Sequence, residues 1–383
     1  MNVLPNIAAT TYVPATPAEP KFKQPRSGTN TGIVGTGNSG RALAAYLSSE
    51  GHDVHILARS HDKLEFLGDE SFVNSEGKVS GRFPVASSGC AAKDFAERSE
   101  VIFVATVTTA YADIATRLAP VLTDKHVIIL FSSKLGGTLL FEQALKNAGA
   151  KLPRIIETDA LFACRIEEVT NSIGIRGFKQ WTLFSSSTQT KTKEDAQFIY
   201  RFFPGLSPAT NIIQRGLTDF GAVAHASIAL ANMNLISRKT PFRFYYDGMT
   251  EETIRLLESV EGEFRAIAEA YGSELIEMKE LLHRYYTCDT TSLYTAMTSV
   301  RNYRYILGPE TLQHRFLHED ICSTLVPARQ LAALAGLKAP ILDAIISITS
   351  VVTKRDLLAE GRTLESLGLA GMTYKQVVAY VNS

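Results

Sequence analysis

From residue 29 onward the chain alternates short apolar runs with stretches whose apolar residues recur every three to four positions. The runs Ile33-Val34, Asp53–Ala58, Glu100–Ala105, His126–Phe131 and Arg154–Thr158 are rich in β-branched and aromatic residues and read as buried strands. Between them Arg41–Leu47, Ala91–Arg98, Tyr111–Leu122 and Leu139–Ala148 read as amphipathic helices. Strands alternating with helices predict a parallel sheet covered on its faces. Two further strand-like runs, 172–178 and 181–186, predict an antiparallel extension of that sheet. After Pro204-Gly205-Leu206-Ser207-Pro208 the period becomes helical. It predicts helices over 222–235, 250–272, 274–284, 291–299, 309–316, 320–335, 340–352 and 373–382. Thr250 with Thr253, and Thr373 with Gln376, have the spacing of helix-start caps.

The turn after the first strand carries the first chemistry. Gly35, Gly37 and Gly40 form G-x-G-x-x-G between a strand and a helix, with a second strand to follow. Gly35 permits the tight turn, Gly37 lets a pyrophosphate approach the backbone, and Gly40 lets the helix pack on the sheet. Asn38 and Ser39 begin the helix, whose free N–H groups and positive dipole end suit phosphates. A dinucleotide site is therefore expected at Gly35, Gly37, Asn38, Ser39 and Gly40. An NAD-preferring domain carries a carboxylate at the end of the second strand. Here Arg59 and Ser60 stand there, and a guanidinium can grip a 2′-phosphate, so NADP(H) is expected over NAD(H). Thr106 and Ser133, at the carboxyl ends of later strands, are further candidates for cofactor contact. The fold class expected is an α/β N-terminal Rossmann-like dinucleotide-binding domain, residues 29–206, plus an all-α C-terminal domain, residues 207–383.

Composition narrows the class further. Formal net charge is zero over 383 residues, so nothing points to nucleic acid. No apolar run is long enough to span a bilayer, and no signal-peptide pattern opens the chain. The four cysteines, Cys90, Cys164, Cys288 and Cys322, lack zinc-knuckle or C-x-x-C spacing. No metal is expected, and a reducing cytoplasm is. Residues 1–28 are rich in proline and read as an extended or disordered arm, either loose or wrapped around a second copy in a homodimer.

In the second domain His225 sits in Ala222-Val223-Ala224-His225-Ala226-Ser227-Ile228, among small and apolar neighbours, where an imidazole needs a partner. Arg315 and Asp320 stand five residues apart in a polar run beside apolar anchors. An acid–base histidine needs an orienting carboxylate, and a 2-keto acid needs a bidentate cation. Four segments then carry a resemblance: Ser133 to Glu142, Glu157 to Arg165, Phe242 to Thr250 leading into Glu261 to Ala268, and Gly308-Pro309 through Arg315–Asp320 to Pro327 with Gly361 to Glu365. In this order they resemble the opine dehydrogenases, the octopine/nopaline dehydrogenase family.

The resemblance implies an enzyme that joins an amino acid to a 2-keto acid and reduces the imine with NAD(P)H. It implies a catalytic pair, His225 and Asp320, and a substrate-carboxylate ligand, Arg315. The sequence departs from the family at Ala226, where proline usually follows the histidine, and at Ser132-Ser133, where Pro-Gly is usual. These departures leave the pair in place and bear on which substrates are taken. Two other readings stay open: a hydroxyacid dehydrogenase or ketopantoate-reductase-like enzyme, which often places a lysine at the hydride site, and a non-catalytic dinucleotide-binding sensor.

Overall fold

A computed structural model describes residues 28–383, and the arm expected over 1–28 lies outside them apart from Gly28. Among the described residues the N-terminal part holds twelve strands. They are β1 (Asn30–Val34), β2 (Asp53–Leu57), β3 (Phe72–Gly77), β4 (Gly81–Pro84), β5 (Ser87–Gly89), β6 (Val101–Val104), β7 (Val127–Phe131), β8 (Arg154–Thr158), β9 (Phe162–Ile166), β10 (Ile173–Phe178), β11 (Thr182–Ser185) and β12 (Leu206–Pro208). Five helices interleave: α1 (Asn38–Ser49), α2 (Ala92–Glu97), α3 (Tyr111–Leu118), α4 (Gly137–Asn147) and α5 (Gln189–Ile199).

The main sheet has eight strands in the order β12-β11-β8-β7-β6-β1-β2-β5. Its pairs are parallel except β11 against β8. The period-two alternation of its strands separates two cores. Val34, Ile102, Val104, Ile128 and Leu130 face α3, α4 and the helical domain. Ile33, Val101, Phe103, Ile129 and Phe131 face α1 and a second, smaller sheet. The expected antiparallel extension is half right. Run 181–186 does join β8 antiparallel, as β11. Run 172–178 does not: as β10 it pairs with β9 and β3 in a four-stranded sheet, β4-β3-β10-β9. The physical reason is α1, which buries Ala42, Leu43, Ala44, Ala45 and Leu47 and so needs cover on its outer side. The small sheet packs on it. An alternating run shows that a strand will pair, not which edge it will take.

Beyond β12 the chain is helical: α6 (Ile212–Leu217), α7 (Phe220–Ala231), α8 (Met233–Ser237), α9 (Glu251–Ala270), α10 (Met278–Tyr286), α11 (Leu293–Ser299), α12 (Val326–Leu334), α13 (Pro340–Thr353), α14 (Leu357–Glu360) and α15 (Tyr374–Val381). Both caps occur as expected. Thr250 accepts from Thr253 N–H, and Thr373 with Gln376 closes a reciprocal capping box. The run 222–235 divides into α7 and α8 at Asn232, and two more of the expected helices take another form. Residues 309–316 hold only a 3₁₀ turn, Arg315–Leu317, because the preceding backbone is pinned in a bridge: Arg243 pairs with Leu307, and Gly308 N–H donates to Phe242 O at 2.8 Å. The stretch 320–335 opens with a π-helical turn, Ile321–Leu325, before α12. Pro327 lacks an N–H, so the Ser323 carbonyl loses its α-helical donor. It accepts from Leu135 N–H, at 3.2 Å, across the domain junction.

Candidate active site

Helix α7 is apolar on every side and lies at the centre of the helical domain. Asp219 caps it, its Oδ1 accepting from Gly221 N–H at 2.9 Å and Ala222 N–H at 3.3 Å. His225 stands one turn in, its ring stacked on Phe316 at 4.0 Å and 14°. Nδ1 lies 2.7 Å from Asp320 Oδ2, and Nε2 lies 2.9 Å from the Tyr245 hydroxyl. Asp320 enters from the residue just before the π-helical turn. Its second oxygen, Oδ1, is 2.6 Å from the Lys134 ammonium, which is also 2.8 Å from Asp219 Oδ2. Gly221 makes room for this crossing. A Cβ there would lie 3.0 Å from His225 Cε1 and 3.1 Å from Lys134 Nζ.

Lys134 reaches this point because its loop is bent and held. Ser132, Lys134 and Gly136 all have positive φ, at 73°, 63° and 70°. Buried guanidinium groups from the helical domain grip the loop's carbonyls. Arg362 donates to Ser133 O and Leu135 O at 3.1 and 2.7 Å, and Arg215 donates to Lys134 O and to Glu157. Strained backbone persists where its surroundings over-determine it, and such places gather at functional sites.

The charges set one another. Burial alone would lower the Lys134 pKa, but Asp219 and then Asp320 outweigh it and raise it. Burial alone would raise Asp320, but the Lys134 ammonium and then His225 hold its carboxyl well below the usual range. Asp159, the first residue after β8, is opposed by burial and brought down to about 2 by Lys179 and Lys134. Lys179 pairs with Asp159, and Tyr285 donates to the same carboxylate at 3.1 Å.

Ser132, Lys134, Asp159, Phe162, Lys179, Tyr245, Arg315 and Asp320, with His225, line one cleft of about 180 Å³. It opens where the carboxyl ends of β7 and β8 meet α7, the edge at which open α/β sheets bind ligands. Arg315 is on its lip, its side chain 62 % exposed and tied to Glu319 at 3.2 Å. On the same sheet, the glycine turn has the form a dinucleotide needs. Gly35 has φ of 117°, a Cβ on Gly40 would lie 2.1 Å from Gly35 O, and a Cβ on Gly37 would meet nothing within 4 Å. That open cradle at the N-terminus of α1 fits a pyrophosphate.

Residues 208–353 match the family model described as NAD/NADP octopine/nopaline dehydrogenase, alpha-helical domain, and residues 31–147 match that of ketopantoate reductase PanE/ApbA. An opine dehydrogenase of Arthrobacter sp. (strain 1C) is 30% identical over 347 residues, covering 89% of this chain and 95% of that protein. The chain belongs to the octopine/nopaline dehydrogenase family. Among solved structures, an octopine dehydrogenase in complex with NADH and agmatine superposes with a TM-score of 0.73 at 18% identity, covering 91% of this chain and 98% of that one. Yersinopine dehydrogenase with NADP⁺ bound gives 0.72 at 13% identity, covering 92% and 98%. The fold is that of this family: a Rossmann-like domain followed by a helical one.

Within this octopine/nopaline dehydrogenase chain, the structure brings His225, Asp320 and Arg315 to one cleft. It treats the expected cofactor residues unevenly. Gly35, Gly37 and Gly40 shape the turn, and Ser39 sits half-buried in the first turn of α1. The Asn38 side chain is engaged elsewhere, its Oδ1 accepting from Ile166 N–H at 3.0 Å, so only its backbone faces the cradle. Thr106 lies against Gly35. Arg59 is exposed at the end of β2 and has no ion pair or side-chain hydrogen bond among the described residues, whereas Ser60 donates to Asp62 at 2.5 Å. Ser133 needs correction. It is fully buried and donates to Glu157 Oε2 at 3.2 Å, so its hydroxyl is closed to a ligand; positive φ at its neighbours turns Ser132 and Lys134 to the cleft instead.

Sequence reasoning missed Lys134, Asp219 and Tyr245. Tyr245 reads as a core or interface residue in the sequence, yet it bonds the imidazole. A lysine beside glycines at a strand's carboxyl end was the one available signal for Lys134. His318, Cys322 and Glu360 offer ligand atoms within 4.8 Å of one another, a grouping the sequence spacing does not reveal. The Arg355 guanidinium already contacts both His318 and Glu360, so the group is an ion network.

Proposed function

We propose that this chain is an NADPH-dependent opine dehydrogenase. It would condense an amino acid or related amine with a 2-keto acid through an imine and reduce that imine at carbon, giving an N-carboxyalkyl amino acid. The observation that carries the reading is the His225–Asp320 pair, 2.7 Å apart, in one cleft with the Arg315 guanidinium at its lip. Asp320, kept ionised, fixes the ring so that Nδ1 carries a proton, and Nε2 is then the nitrogen that handles protons. Arg315 would hold the keto acid's carboxylate and so orient its carbonyl carbon. His225 would take a proton from the incoming ammonium and return one to the departing hydroxyl, which leaves as water. When bound, the reduced nicotinamide supplies the hydride. The residues that would hold the cofactor are Gly35, Gly37, Ser39 and Gly40 around the pyrophosphate, with Arg59 at the 2′-phosphate.

The preference for NADP(H) rests on Arg59, exposed and unpaired among the described residues, with no carboxylate directly after β2. Asp62 lies nearby but is tied to Lys63 at 2.8 Å and to Ser60. The reading also takes the domain division at 206/207, a homodimer and a cytoplasmic location, the last in keeping with four free cysteines. Among the described residues no helix is long and apolar enough to cross a membrane.

One observation favours the ketopantoate-reductase-like alternative: a lysine, Lys134, does enter the cleft. Its ammonium is held between two carboxylates, which leaves it poorly placed to give a proton. The test is an NADPH-oxidation screen of amines against 2-keto acids, with mass spectrometry of products. Oxidation that requires both partners supports the condensation. Oxidation with a keto acid alone supports the alternative. His225→Ala should lower turnover by about two orders of magnitude or more with NADPH binding kept; normal turnover removes the pair from the mechanism.

A further inference from the structure

Both ring nitrogens of His225 are engaged. An ionised carboxylate can only accept, so Nδ1–H donates to Asp320 Oδ2 at 2.7 Å. In the neutral ring Nε2 is then the acceptor, and the Tyr245 hydroxyl donates to it at 2.9 Å. No ring nitrogen remains to meet a substrate directly. Tyr245 itself lies in the cleft wall. Its hydroxyl has no second partner among the described residues, so its oxygen keeps a lone pair free to accept. The ring is held in place by Tyr303, stacked at 4.4 Å, by Phe220 at 5.6 Å and by Phe244 edge-on at 5.0 Å. Burial, and after it the Asp320 charge, pushes the phenol's pKa up, so it rests as a neutral hydroxyl.

We propose that Tyr245 is a catalytic residue: its hydroxyl is the group that meets the substrates, relaying protons between them and His225. The proposal rests on the condensation reading and deepens it. When the ammonium of the amine substrate reaches the cleft, one N–H proton passes to Tyr245 Oη as the phenolic proton passes to His225 Nε2. The amine becomes a nucleophile, tyrosine stays neutral, and the ring becomes an imidazolium facing Asp320. The amine lone pair then forms the C–N bond to the keto carbon, whose oxygen becomes hydroxyl by a proton shift from the nitrogen. The relay runs backwards to protonate that hydroxyl. The C–O bond breaks, water leaves, and an iminium remains to receive hydride. The phenol passes on each proton it gains, so no phenolate accumulates.

Other charged and titratable groups around the cleft are Lys134, Asp159, Lys179 and Asp219, Tyr303 stacked on Tyr245, and His314, Arg315 and Glu319 on the Phe316 side. The faces of α9, α10 and α13 buried in the helical core are apolar apart from hydroxyls and Glu261, which accepts from Met278 N–H. Tyr245 is thus the only one of these groups on Nε2.

The test is Tyr245→Phe, which removes one oxygen and keeps the ring. Histidine-selective ¹⁵N spectra of the protein without cofactor should show the His225 Nε2 signal moved in the variant. With the amine and keto acid found by the screen, kcat should fall by about ten- to hundred-fold. The KM for keto acid and the Kd for NADPH should stay within about twofold, since neither is bound by the phenol. Because the two groups act in series, His225→Ala with Tyr245→Phe should be no slower than His225→Ala alone. An unmoved Nε2 signal, an undiminished kcat, or losses that multiply in the double variant would each overturn the relay. If the spectra change but the wild type turns over no amine–keto acid pair, it is the condensation reading that falls, and the relay's substrate step with it.

Discussion

Lys134→Met keeps much of the side chain's length and removes its charge. The ammonium stands 2.6 Å from Asp320 Oδ1 and 2.8 Å from Asp219 Oδ2, and all three residues are buried. Removing one partner of a buried ion pair costs about 3–5 kcal/mol, because the other charge is left uncompensated. Here Asp219 keeps the N–H groups of Gly221 and Ala222, and Asp320 keeps His225, so the lower figure is expected. At roughly 2–4 °C per kcal/mol for a large domain, the melting temperature should fall by about 6–12 °C near neutral pH.

The pH dependence has a definite sign. Asp320 is depressed in the fold, so its contribution is present above about pH 4 and is lost as pH falls through its lower folded value. Lys134 is raised, so its contribution is full below about pH 10 and is lost only as pH rises through its higher folded value. The wild type therefore keeps the whole contribution between those limits. In the variant, burial acts on the Asp320 carboxylate without the ammonium to oppose it. Its charged form becomes a liability that protonation relieves. The gap between wild type and variant should be widest at about pH 7 to 9 and narrow towards pH 5. Calorimetric scans of both proteins across that range measure it. A gap that stays constant with pH, or one of less than about 2 °C at neutrality, would refute the assignment of Lys134 as the counter-charge.

Gly221→Ala should separate function from stability. The added methyl would crowd the His225 ring and the Lys134 ammonium at 3.0–3.1 Å, lowering turnover by about tenfold, while alanine's better helix propensity, about 1 kcal/mol, offsets the strain in a thermal melt. Arg59→Ala should weaken NADPH binding by about tenfold and leave NADH binding unchanged, read by fluorescence titration; equal losses for both would mean the guanidinium stacks on the adenine and does not read the phosphate.

Much of the fold was legible because single residues decide it locally. Gly35 and Gly40 can be nothing else where φ is 117° and a Cβ would sit 2.1 Å from a carbonyl oxygen. Thr250 and Thr373 announce their helices through bonds three residues away. The smaller sheet was not legible, since Ile173 and Ile175 alternate as any half-buried strand does, and the surface they cover belongs to α1, over a hundred residues earlier in the chain. The missing helix at 309–316 has the same character: what stops it is a bridge to Arg243.

The site divides along the same line. His225 stood out because it is a polar group among small and apolar neighbours, and Arg315 and Asp320 because they bring a guanidinium and a carboxylate into one polar run; all three fall in segments with a family pattern. Ser133 and Lys134 are adjacent, and sequence position alone favours the serine, a small hydroxyl at the cofactor edge. The fold reverses the choice. Arg215 and Arg362, held in the helical domain, take the carbonyls of Ser133, Lys134 and Leu135 and set the loop's left-handed turns. Those turns bury the hydroxyl on Glu157 and send the ammonium to Asp320. Which of two neighbouring side chains reaches the chemistry is thus decided by guanidinium groups about 80 and 230 residues further along the chain, a distance over which no local pattern carries information.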